Sequence, residues 1–133
     1  MIKSLEKIKK LIYWYYNLPK NYVNIAVLME ARKKLAVHCF ELAEVTGDMK
    51  MSFDNSYADR KIAYAEKKVE LMNDGMSGTA AEARANSEIS KSIRQEKEFE
   101  GAHSRCRLLL TQANEVLSCL NQHISLLKLE KHD

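Results

Sequence analysis

Small and apolar residues recur at alternating steps of three and four from Phe99 to Leu127. The positions are Phe99, Ala102, Cys106, Leu109, Ala113, Val116, Leu120, His123 and Leu127, and only His123 breaks the series. Leu110, Leu117 and Ile124 make a second row beside it. A heptad pattern held for about four repeats marks a helix that packs lengthwise on another helix. Phe99, Cys106, Leu109, Leu110, Val116, Leu117, Leu120, Ile124 and Leu127 are therefore the expected helix-packing interface, with self-association as one way to cover it.

The same periodicity runs through the rest of the chain. Leu5, Ile8, Ile12 and Tyr15 share one face of a helix over 3–16, which Asn17-Leu18-Pro19 should end because the residue before proline avoids the α region. A second helix is expected over 22–46, with Leu28, Ala31, Leu35, Cys39 and Leu42 on one face and Val27, Ala36, Phe40 and Ala43 widening it to a broad buried arc. Gly47 reads as its stop, and 47–53 as a connector. A third helix over 54–74, capped by Asp54 or Ser56, carries the seam Ala58, Ile62, Ala65, Val69, Met72 and Met76. Asn73-Asp74-Gly75 and Gly78 mark a turn. Thr79-Ala80-Ala81-Glu82 then reads as a capping box that opens a fourth helix over 79–129.

These elements predict an all-α chain, an antiparallel helical hairpin or bundle with one long C-terminal helix. That helix would have about 51 residues, roughly 76 Å at 1.5 Å per residue. Helix three covers only its first half. Helices two and three lying end to end against it would complete the cover. A break at Gly101 and a compact bundle, or a partner chain on the second half, would also do so. The whole of 1–133 reads as a single all-helical domain, with a distinct segment at 1–21 and the hairpin or bundle over 22–133.

Composition sharpens this picture in two places. One Pro and four Gly leave few helix breakers in 133 residues. Residues 1–21 hold five Lys against one Glu, a balance of +4, so the formal net charge of +3 belongs to this segment and the remainder is close to neutral. No apolar run is long enough to span a membrane, and residues 1–10 lack the gathered apolar stretch of a secretory signal. The three cysteines, Cys39, Cys106 and Cys119, then read as reduced small apolar residues in a cytoplasmic protein.

The run Tyr57-Ala58-Asp59-Arg60-Lys61-Ile62-Ala63-Tyr64-Ala65-Glu66, the Asn73-Asp74-Gly75 turn and Thr79-Ala80-Ala81-Glu82-Ala83-Arg84-Ala85, followed by Leu108-Leu109-Leu110, Leu117 and Leu120, resemble small all-helical hairpin or coiled-coil proteins encoded by phages and prophages. The resemblance covers 57–129. It implies a helical hairpin, no catalytic signature, and a place among genes for recombination and single-strand DNA metabolism.

The best candidate chemistry lies outside that region, in Lys9-Lys10-Leu11-Ile12-Tyr13-Trp14-Tyr15-Tyr16. Four consecutive aromatics point around a helix and cannot all be buried on one face. Rings stack on bases and Lys neutralises phosphate, which suits sequence-tolerant single-strand binding. Lys9, Lys10, Tyr13, Trp14 and Tyr16 are the expected contacts for single-stranded nucleic acid or a protein partner, and a membrane interface ranks last. The plainer alternative is that the rings clamp the end of the bundle.

Other constellations are weaker. His103 with Cys106, and Cys119 with His123, have two-ligand helical spacings, but the pairs are too far apart along one helix to share an ion. No metal and no cofactor are expected. Glu41 and Glu44, then Glu66 and Glu70, resemble the acidic pairs with which all-helical nucleotide pyrophosphohydrolases of the MazG type hold magnesium, although Asn73 stands where an Asp is needed and Asp74 is one place late. Gly75-Met-Ser-Gly78 lacks the Lys and strand of a phosphate loop. The sequence therefore points to a non-catalytic interaction protein of phage or prophage type, an accessory in DNA recombination or replication. The alternatives are a virion-structural or host-directed binding protein, and a magnesium-dependent hydrolase.

Overall fold

The computed structural model describes residues 2–132. They form α1 (Ile2–Tyr16), α2 (Ile25–Asn73), α3 (Gly78–Glu88) and α4 (Ser90–His132). No strand occurs among the described residues, so the fold is all-α, with a long C-terminal helix as the periodicity predicts. By compactness the chain divides into two units, Met1–Thr46 with Arg105–Asp133, and Gly47–Ser104.

The first unit is a three-helix bundle of α1, the first part of α2 and the last part of α4. Leu28, Leu35 and Leu42 of α2 are buried in one cluster with Leu109, Val116, Leu120 and Ile124 of α4, and Ile8 of α1 closes it. Each fully buried aliphatic side chain of this kind stabilises by about 1.5–3 kcal/mol. Arg32 donates to the Asn121 side chain at 3.3 Å, and His123 meets the Tyr22 carbonyl at 2.9 Å, so α2 and α4 run antiparallel. Cys106 is buried, and Leu110, Leu117 and Leu127 are half-buried against the same core. The heptad seam from 106 to 127 is thus filled by the chain's own α1 and α2. The broad arc expected for α2 is not buried: Val27, Ala36, Phe40 and Ala43 are exposed, and Phe40 is 69% so.

Helices two and three, expected to be separated by a connector at 47–53, are one helix of 49 residues. The buried face carries straight through the expected break, by way of Leu42, Thr46, Met49, Phe53, Ser56, Arg60, Tyr64, Lys67 and Leu71. Thr46 satisfies its buried hydroxyl by donating to the Leu42 carbonyl at 2.7 Å. Lys50 and Asp54, 3.3 Å apart, form an i,i+4 ion pair across the expected connector. A single glycine costs a helix about 1 kcal/mol and does not end it when its neighbours keep the face in phase.

The helix ends at a Schellman turn. Gly75 takes φ +96°, Gly75 N–H donates to the Met72 carbonyl at 3.0 Å, and Met76 N–H donates to the Leu71 carbonyl at 3.1 Å. Met76 then packs beside Leu71. The cap of α3 is Ser77, whose hydroxyl accepts from Ala80 N–H at 3.3 Å. The expected capping box at Thr79 is therefore displaced by two residues, and Glu82 pairs instead with Lys68 at 2.9 Å. The single helix expected over 79–129 is interrupted at Ile89 (φ −95°, ψ 12°). Gly101, where a break or kink was one alternative, lies inside α4. Glycine permits a kink without imposing one.

The second unit is held differently. Its buried apolar residues are small or few: Leu71, Ala81, Ala85 and Ile89. Tyr64 and Met76 pack on this cluster, and ion pairs link the helices beside it. Arg60 pairs with Glu96 in a half-buried position, and Lys67 pairs with Glu88 at 3.0 Å. The seam expected for this region is on the other side of the helix. Ile62 is 56% exposed, Val69 57% and Met72 46%.

Two outcomes test this fold. Gly47→Ala is expected to raise stability by about 0.5–1 kcal/mol in thermal unfolding, since a Cβ there meets nothing within 4 Å. Gly75→Ala is expected to lower it, because of its positive φ. A loss of stability at Gly47 would show that the helix ends there. The Glu88 carboxyl is held below its ordinary 4.5 by hydrogen bonds from Lys67 and then Arg84. The stability it lends is therefore complete above that value and lost as pH falls through the lowered one. Glu88→Gln should flatten the dependence of melting temperature on pH below about 4.5 and leave it unchanged near neutrality.

Candidate functional site

The outer face of α1 follows from its inner one. Ile8 is fully buried and Leu5, Leu11, Ile12 and Tyr15 pack against the same core, which sets the phase of the helix. Lys3, Lys7, Lys10 and Tyr13 then recur at steps of three and four on the opposite side, with Lys9 and Tyr16 beside them. All six are exposed, Tyr13 at 74% and Tyr16 at 63%. Glu6 is the one acidic residue of α1 and is also exposed. Among the described residues, neither Lys9 nor Lys10 enters an ion pair.

The four consecutive aromatics divide two and two. Trp14 is half-buried and meets Tyr22 edge to face, ring centroids 6.3 Å apart. Tyr15 is half-buried beside His123, with centroids 6.2 Å apart. Burial first, and then the neighbouring Cys119 and Tyr16, push the Tyr15 hydroxyl above its ordinary pKa, so it stays a neutral phenol. Trp14 and Tyr15 thus anchor α1, and Tyr13 and Tyr16 are left for solvent or a ligand. Of the five expected contacts, the structure puts Lys9, Lys10, Tyr13 and Tyr16 on the surface and turns Trp14 partly inward.

His123 interrupts the heptad seam for a local reason. Its Nε2 lies 2.9 Å from the Tyr22 carbonyl, and since a carbonyl only accepts, Nε2 carries the hydrogen. The imidazole ties the segment between α1 and α2 to α4. A shallow depression beside Tyr16 is lined by Leu18, Pro19, Lys20, Gln122 and His123. Pro19 and Lys20 add an apolar floor and an ammonium to the exposed ring, a feature that periodicity could not reveal because the segment is not helical.

The other candidates are scattered. His103 belongs to the second unit, while buried Cys106, exposed Cys119 and His123 belong to the first. Among the described residues no three His, Cys, Asp or Glu side chains gather where an ion could bind. Glu41 and Glu44 lie in the first unit and Glu66 and Glu70 in the second, all on α2, whereas the magnesium reading requires facing helices. Ser4 and His38 both hydrogen-bond the Oε2 oxygen of Glu41, which lowers its pKa. No helix among the described residues is long and apolar enough to cross a membrane.

The thiols give a test of this arrangement. Cys119 is exposed, and Cys39 is buried with its pKa raised by desolvation. Alkylation of the native protein near neutral pH should label Cys119 first, with Cys39 and Cys106 reacting only on unfolding. Equal rates for all three, read by peptide mass spectrometry, would contradict the packing. No family model matches the chain, and no curated protein or solved structure matches it.

Proposed function

We propose that the chain is a non-catalytic helical interaction protein that contacts single-stranded nucleic acid through the outer face of α1, as an accessory in DNA recombination or replication of the phage or prophage type. One observation carries the reading: two strongly exposed tyrosine rings share a helix face with Lys9 and Lys10, which have no ion-pair partner among the described residues, in the segment that holds the positive balance of the chain. Residues three and four apart on a helix have Cβ atoms about 5–6 Å apart, so Lys9 or Lys10 can neutralise a phosphate while Tyr13 stacks on an adjoining base, and Tyr16, three residues beyond Tyr13, continues the row. The depression beside Tyr16 offers a place for a second base, with Lys20 near its phosphate. The contact is sequence-tolerant, because every base has a face to stack and every nucleotide a phosphate.

The nucleic-acid reading makes three linked demands on a titration of fluorescent single-stranded DNA. Binding should weaken as salt rises. Tyr13→Ala and Tyr16→Ala should each weaken it by roughly tenfold, the scale of one lost stacking contact. Lys9→Ala with Lys10→Ala should reduce the salt slope by about 1.4, from about 0.7 per phosphate contact on a single strand. Both tyrosines are exposed, so their loss should leave the melting temperature nearly unchanged, unlike that of half-buried Trp14. Absence of binding at low salt removes the nucleic acid and leaves a protein partner for this face.

A further inference from the structure

The α2 segment of the second unit carries apolar residues on both its inner and its outer side. It turns Arg60, Lys67 and Lys68 toward α3 and α4, where they pair with Glu96, Glu88 and Glu82. Its opposite side exposes Met51, Asn55, Ala58, Ile62, Ala65, Val69 and Met72. These seven residues are spaced by four, three, four, three, four and three. That is an unbroken a/d heptad seam of three repeats, with Asn55, Ile62 and Val69 at a and Met51, Ala58, Ala65 and Met72 at d. An exposed heptad seam opposite an inner face already packed on the chain's own helices is the arrangement of a helix whose outer face is covered in an assembly.

The flanking charges say what covers it. Asp59 and Glu66 occupy e positions, and Asp54, Lys61 and Lys68 occupy g positions. In a parallel, in-register pair of identical helices, each g residue faces the e residue five places on in the other copy. Lys61 then meets Glu66 of the second copy, twice by symmetry. Among the described residues neither has an ion-pair partner within its own chain, and the Lys61 ammonium lies over the Tyr57 ring, 4.7 Å from its centre. The one like-charge meeting, Asp54 with Asp59, is softened because Asp54 is already paired with Lys50. An antiparallel pair centred on Ile62 and Ala65 would instead set Lys61 against Lys68 and Asp59 against Glu66.

The seam residues agree. β-Branched side chains at a favour two parallel strands, and a lone Asn at a fixes register and strand number. Alanine at d lets two backbones approach closely. We propose that the outer face of α2 from Met51 to Met72 is a homodimer interface, a parallel two-stranded coiled coil with a second copy of this chain. The proposal goes beyond the nucleic-acid reading and does not rest on it, since it uses none of the residues of α1.

Sedimentation of the full chain from about 1 µM to about 1 mM, the span of weak to moderate association, is the test. The wild-type protein should pass from monomer to dimer. Ile62→Glu with Val69→Glu should stay monomeric at every concentration, with helix content and melting temperature of the dilute protein unchanged because both side chains are exposed. Lys61→Glu and Glu66→Lys should each weaken the dimer by roughly threefold to tenfold, and the two together should restore it. In a Cys119→Ser background, Ala65→Cys should cross-link to itself under mild oxidation, since in-register d residues face one another. A wild-type protein that stays monomeric throughout, a dimer that survives Ile62→Glu with Val69→Glu, or charge reversal that fails to restore pairing would overturn the assignment. None of these outcomes bears on the DNA titration, so the two readings fail separately.

Discussion

Leu28, Leu35 and Leu42 recur every seven residues along α2 and are sealed from water with Val116, Leu120 and Ile124 of α4. The rest of the first unit depends on this seam. It sets the phase of both helices, and α1 is held because Ile8 closes the same core. Once Ile8, Ile12 and Tyr15 face inward, Lys10 and Tyr13 have nowhere to point but outward. The proposed contact face of α1 is thus a by-product of packing.

The two units reach stability by different means. In the first, large aliphatic side chains remove area from water. In the second, Ala81 and Ala85 bring helices close while burying little area, and Arg60–Glu96, Lys67–Glu88 and Lys68–Glu82 hold the register. Ion pairs of this exposure contribute little net free energy each, and they discriminate between registers better than they stabilise one. The same helix also carries an exposed apolar seam on its outer side.

The sequence made the strongly periodic parts legible. The seam from Cys106 to Leu127, the helix over 3–16 and the turn at Gly75 follow from spacing and from one residue that tolerates positive φ. What it concealed has a common cause. Periodicity shows that a helix has a face, but it does not say what covers that face. Thr46, Ser56, Arg60 and Lys67 continue the inner face of α2 in polar form, so the helix seemed to stop at Gly47. For the same reason Ile62 and Val69 read as core, although they are exposed. At α1, four aromatics in a row implied a division, but only the packing of Trp14 on Tyr22 and of Tyr15 on His123 decided which two face outward.

The turn between α2 and α3 has a consequence for the length of the chain. Gly75 ends one helix and Ser77 caps the next, leaving Asp74–Ser77 to join them. A helix advances about 100° per residue, so one residue added between these two caps would rotate α3 by that angle about its own axis. Ala80 and Arg84 would then stand where Ala81 and Ala85 now meet α2, and a guanidinium would occupy space that a methyl group now fills. Four residues thus serve as a phase key. The joint can change in composition wherever Gly75 and Ser77 are kept, and it cannot change in length.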